Sequence, residues 1–268
     1  MSSESESIAG SAPATSRRGD AIALGAVGLA AAAGLLVAGP IPQDLAYHDF
    51  ADDRTLLGIP NALDVLSNAP FLLTGALGLR LAARRETAGP RPLVAALFAG
   101  VLLTGLGSAG YHLDPTNASL VWDRLPMTVV FMAILALTIH DRGSERLAVR
   151  AGAPLLVIGV ASVAWWAATD DLRVYALVQF FPMIVIAWLL LRFPPRRSGG
   201  PALVGAAAWY VAAKLLETFD RPIWSLGLGV SGHTLKHLAA AAATACLVRF
   251  VSLRRRLVPP SAVEHPAG

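Results

Sequence analysis

The chain has 268 residues, 55% of them hydrophobic and only 15% charged, and its mean hydropathy is +0.57. That composition excludes an ordinary soluble domain and points to a chain solvated by a bilayer. The net charge of +4 and pI of 9.7 suggest nucleic acid at first sight, but most arginines flank apolar runs, where positive charge reports membrane orientation, so no nucleic-acid partner is expected.

Residues 1–20, MSSESESIAGSAPATSRRGD, are small and polar without periodicity and read as a disordered tail. Arg17 and Arg18 ahead of the apolar run 21–39 imitate a signal peptide, yet the acidic tail and the length of the run favour a retained first span. A transmembrane helix needs about 20 mostly apolar residues. By that measure spans follow near 61–83, 93–112, 121–140, 147–168, 174–193, 201–218 and 232–251. Turn and charge signals such as GPIPQD, RRETAGPRP, DPTN and PPRRSGGP separate them. The expected fold is therefore all-α, a polytopic transmembrane bundle occupying 21–253 as one domain, with a C-terminal tail at 254–268. The single cysteine, Cys246, lies in an apolar run and leaves neither a disulfide framework nor a thiolate metal site available.

Counting alternate connections, sixteen of the 22 basic residues fall on one side, among them Arg17, Arg80, Arg91, Arg146, Arg196 and Arg254. The other side holds Arg54, Arg124, Arg173 and Arg221 among eight aspartates. Because cytoplasmic loops collect Lys and Arg, this predicts eight spans with both termini cytoplasmic. The Arg- and Ala-rich composition points to a bacterial inner membrane.

Ionisable residues near spans are expensive in lipid, so each is a functional candidate. His112 ends the third span, Asp123 starts the fourth, and His233 and His237 start the eighth, all near the non-cytoplasmic face. Asn61, Asp64, Ser67 and Asn68 open the second span and Glu217 closes the seventh at a similar depth. In VSGHTLKHLAAA the two histidines are four residues apart, so both imidazoles share one helix face. In GLGSAGYHLDP, Ser108 and His112 have the same spacing. Three neutral His ligands with one open position describe a catalytic zinc site, whose bound water becomes a nucleophile near neutral pH. Asp123 would accept a proton from that water and Ser108 would donate to the developing oxyanion. Against this stand plainer readings. A His pair at this spacing also makes polar helix faces, and Asn61, Asp64 and Asn68 serve as caps and inter-helix glue. Lys214 and Lys236 snorkel or pair with Glu217, and Trp165 and Trp166 anchor at the interface.

The ordered set NALDVLSN, GSAGYH, DRLPM and GHTLKH resembles the alkaline ceramidase family, integral membrane amidases related to the progestin and adiponectin receptors, over about Tyr47 to Arg249. The resemblance implies that His112, His233 and His237 bind zinc, that Asp123 partners the water, that Ser108 is the oxyanion donor, and that a ceramide amide is cleaved to a sphingoid base and a fatty acid. It also implies a seven-helix core, to which the run 21–39 adds a span. The family's acidic calcium-binding segment corresponds to HDFADDR here, with Asp49, Asp52 and Asn61 as the matching candidates. Arg54 stands where an Asn ligand is expected and Asn61 replaces a Glu, which weakens any hard-cation site and makes calcium doubtful.

The leading expectation is a zinc-dependent hydrolase of a membrane-lipid amide, ceramide or another N-acyl lipid, with the bilayer supplying the substrate. The alternatives are a receptor or binding protein of the same architecture with a structural zinc, and a transporter or bis-His haem protein. Haem would leave the third His and Asp123 unexplained, and transport would call for polar residues through the depth of the bundle, where Leu, Ala and Val predominate.

Overall fold

The computed structural model describes residues 14–84 and 89–253. The C-terminal tail at 254–268, Arg85 and the first thirteen residues of the expected N-terminal tail lie outside them. The chain divides into two compact units, residues 1–40 and 41–268. The first holds α1 (Ala14–Ala38). It begins inside the stretch read as a tail, because Ala14, Arg17 and Arg18 are good helix formers and no proline interrupts them.

The second unit is a helical bundle with no strand among its described residues. A 3-10 turn (Leu45–His48) precedes α2 (Ala62–Leu66), α3 (Ala69–Ala83), α4 (Arg91–Leu113), α5 (Asn117–Arg142), α6 (Glu145–Thr169), α7 (Arg173–Arg192), α8 (Gly200–Thr218), α9 (Asp220–Trp224) and α10 (Gly232–Leu253). Among the described residues six helical stretches are long and apolar enough to cross a membrane: Ala62–Ala83, α4, α5, α6, α7 and α10. The expected span at 201–218 forms as α8, 19 residues long. Lys214, Glu217, Trp209 and Tyr210 lower its hydropathy below that of the six. The chain is thus an all-α, multi-pass membrane protein.

The helices pack as neighbours in a row, α8 on α10, α10 on α3, α3 on α4 and α4 on α5, with α6 and α7 on the far side of α5. The second span breaks into α2 and α3 at Ser67 and Asn68, because Pro70 cannot donate a backbone hydrogen bond to the turn before it. The break leaves both side chains free to bond the Asp64 carbonyl, at 3.0 Å from Ser67 Oγ and 2.7 Å from Asn68 Nδ2. Elsewhere small residues let backbones approach. A Cβ on Gly107 would lie 2.0 Å from the Trp122 carbonyl oxygen, so α4 and α5 touch backbone to backbone. This contact sits beside Ser108 and Asp123. Pro126, four residues after Trp122, is what leaves that carbonyl without a helical donor. A Cβ on Gly232 would likewise meet the Leu216 carbonyl at 2.3 Å, fixing the start of α10 against α8.

Towards the end of the bundle remote from the histidines the interior is a continuous apolar core built around Leu97, Phe98, Val101, Leu137, Leu203 and Phe250. Its polar groups bond one another, as Thr74 Oγ1 does with Thr244 Oγ1 at 2.8 Å.

Candidate metal centre

The start of α10 is pinned before any histidine is considered. Ser231 caps it, accepting from the Thr234 amide at 3.0 Å. Asp220 Oδ1 accepts from the His233 amide at 2.7 Å, and Asp64 Oδ1 accepts from Thr234 Oγ1 at 2.5 Å. Two carboxylates at a helix N-terminus complement its positive end. They also set the rotation of α10, so that His233 and His237 face α4.

There they meet His112. His112 Nε2 lies 3.3 Å from His233 Nε2, and one ligand nitrogen from each of the three rings falls within 4.8 Å of the others. All three are at most 5% exposed. Among the described residues this is the group of three or more His, Cys, Asp or Glu able to hold a metal ion. The ring of His237 is oriented from behind. Ser67 Oγ gives its proton to the Asp64 carbonyl and stands 2.8 Å from His237 Nδ1, so it accepts the Nδ1 proton and leaves Nε2 for a metal. Asn61 Nδ2 holds the His112 carbonyl at 2.8 Å. His112 Nδ1 is buried without a hydrogen-bond partner, so no protein group selects its tautomer.

Asp123 and Ser108, 9% and 3% exposed, line a polar cavity of about 160 Å³ that reaches His237. An apolar cavity of about 140 Å³ shares Phe71, Thr104, Met127, Tyr210 and Ala240 with it and continues to Ile134, Met183, Ile186 and Leu247. Glu217 faces the polar cavity with Lys214 and Lys236, and it pairs with both, as the sequence suggested; Lys236 Nζ lies 2.7 Å from its Oε1.

The acidic segment behaves differently. Arg54 clasps Asp52 through two contacts of 2.7 and 2.8 Å and stacks on Trp224. The guanidinium holds the Asp52 carboxyl below the usual carboxylate range. Asp49 pairs with Arg221 at 2.5 Å, and Asn61 is engaged with His112. The three residues considered for calcium therefore each have another partner.

Several residues at the site escaped the sequence reading. Phe50 packs its ring 4.6 Å from both His112 and His233, covering them from the loop before α2. His48 is engaged at both ring nitrogens: with Asn117 Oδ1 accepting at 2.9 Å, its Nε2 carries the proton and its Nδ1 accepts from the Tyr111 hydroxyl at 2.8 Å. Trp166, read as an interfacial anchor, is 2% exposed, because Arg124 is buried against its face; Trp165, 48% exposed, keeps the surface position. Only an isolated aromatic in a loop and an arginine one residue after Asp123 signalled these roles, and neither pattern is specific.

No curated protein matches the chain. The family model for Ceramidase matches residues 59–257, nearly three quarters of the sequence. The match takes in all three histidines, Asp123, Ser108 and Ser67, and leaves out Asp49 and Asp52. A buried triad of imidazoles beside a polar chamber in a membrane bundle, together with that match, places this chain in the ceramidase family.

Proposed function

We propose that the protein is a zinc-dependent hydrolase that cleaves the amide of a ceramide-like N-acyl lipid. The observation that carries this reading is a histidine triad whose member His237 lines a polar cavity that runs into an apolar one. His112, His233 and His237 would hold the metal. Two nitrogens bound to a tetrahedral zinc at about 2.0–2.1 Å are themselves roughly 3.3 Å apart, which fits the 3.3 Å between His112 Nε2 and His233 Nε2. The all-imidazole set without thiolate suits a catalytic rather than a closed structural zinc. Zinc held there supplies an ionisable water and a Lewis acid for the amide carbonyl.

The protein's own groups account for the rest. The apolar cavity takes part of the acyl chain, which brings the amide to the polar chamber. Asp123 takes the proton of the attacking water and returns it to the leaving amine. Ser108 donates to the carbonyl oxygen as negative charge develops on it. Phe50 covers the two histidines on the loop side and limits stray water. The site faces the non-cytoplasmic side, a reading supported by Arg80, Arg84, Arg91, Arg142 and Arg192 at the helix ends remote from the histidines.

The test is release of fatty acid from labelled ceramides and other N-acyl lipids by purified protein, with and without a zinc chelator. Chelator-sensitive release that falls by about 10² to 10⁴ in Asp123→Asn is expected. Release that ignores both the chelator and the substitution would overturn the proposal.

A further inference from the structure

Arg124 plays no part in the chemistry above, yet it lines the same polar cavity and is only 6% exposed. Its guanidinium lies over Trp166 at 4.3 Å, Tyr175 at 4.8 Å and Tyr47 at 5.3 Å. Stacking of this kind satisfies the planar faces and leaves the N–H edge to find a hydrogen-bonding partner. That edge meets the Tyr47 hydroxyl but is not filled: Nη1 is buried with no acceptor among the described residues. A buried charge is ordinarily paired, and the nearby acids do not supply the pair. Glu217 is shared by Lys214 and Lys236, and among the described residues no carboxylate forms an ion pair with Arg124. The cavity lining contains three basic and two acidic side chains, an excess of positive charge that favours an anion.

We propose that Arg124 binds a lipid carboxylate, held edge-on by the guanidinium while the attached acyl chain runs towards the apolar cavity. A carboxylate presents two acceptors to the two parallel N–H groups of an arginine edge, a match that a hydroxyl or amide head group lacks. This rests on the reading of the site as a lipid amide hydrolase, and it narrows the ligand. The carboxylate is either the head group of an N-acyl amino acid or that of the fatty acid released on hydrolysis.

The test is isothermal titration of the full-length protein in detergent with palmitate and N-palmitoylglycine, against hexadecanol and N-palmitoylethanolamine. The two carboxylates are expected to bind roughly tenfold or more tightly than their neutral counterparts. Arg124→Met should abolish that ratio, while Arg124→Lys, which keeps charge and stem, should retain part of it. A ratio near one in the wild type, or an unchanged ratio in Arg124→Met with all four ligands weakened alike, would overturn the proposal and leave Arg124 as a clamp between helices. Faster hydrolysis of N-palmitoylglycine than of N-palmitoylethanolamine, lost in Arg124→Met, assigns the carboxylate to the head group. Equal hydrolysis with competitive inhibition by palmitate, relieved in Arg124→Met, assigns it to the product. Binding needs no turnover, so a carboxylate preference without amide cleavage would retire the hydrolase reading and leave this one standing.

Discussion

Two clusters of ligand-type residues lie close together in this molecule and differ in one respect. The residues Asp49, Asp52 and Asn61 have the oxygen atoms a hard cation prefers, but Arg221 and Arg54 already occupy the two carboxylates, and Asn61 is turned to donate its Nδ2 to the His112 carbonyl. His112, His233 and His237 are held by capping, by a hydroxyl behind one ring and by an aromatic cover, while the nitrogens that face one another carry no competing partner outside the triad. Residue type alone does not make a metal site. What makes one is donors fixed from behind and free in front.

The sharpest way to break this contrast is to remove the front. A His233→Ala, His237→Ala variant should fall from about one zinc per chain to none and lose hydrolysis altogether, measured by metal analysis and fatty-acid release. Unchanged metal content would show that other residues are the ligands. Removing the support is a milder test. Ser67→Ala leaves every ligand in place but frees the His237 tautomer, and metal affinity should drop about tenfold to a hundredfold in a competition titration. An unaltered affinity would mean that the 2.8 Å contact orients nothing.

On the other cluster, calcium added to the wild type should leave thermal stability unmoved, since only a ligand that binds the folded state raises it. A clear upward shift would show that Arg54 yields Asp52 to the cation. The smallest effect concerns Asp171, which Arg173 hydrogen-bonds and holds below the usual carboxylate range. A carboxyl lowered in the folded state stabilises above its unfolded value of about 4 and loses that contribution as pH falls below it. Melting temperature should therefore decline more steeply below about pH 4 in the wild type than in Asp171→Asn. Parallel profiles would show that the pair contributes nothing.

The sequence alone determined the membrane class, the approximate spans and the residues of the triad. Apolar run length and the four-residue spacing of His233 and His237 are local properties, set by helix geometry and bilayer thickness. The partner of Arg54 is local too, Asp52 lying two residues away, but nothing in the sequence separates it from Asp53. Tertiary structure decided what depends on residues distant in the chain. The Ser67 contact spans 170 positions to His237. Phe50 reaches the triad only because its loop folds back over α4 and α10. Arg124, counted as a loop charge by its place beside a short turn, is buried because Tyr47, Trp166 and Tyr175 come together from three separate segments to receive it. Burial and hydrogen-bond satisfaction are properties of assembled surfaces, and no periodicity in one helix reports which face another helix will cover.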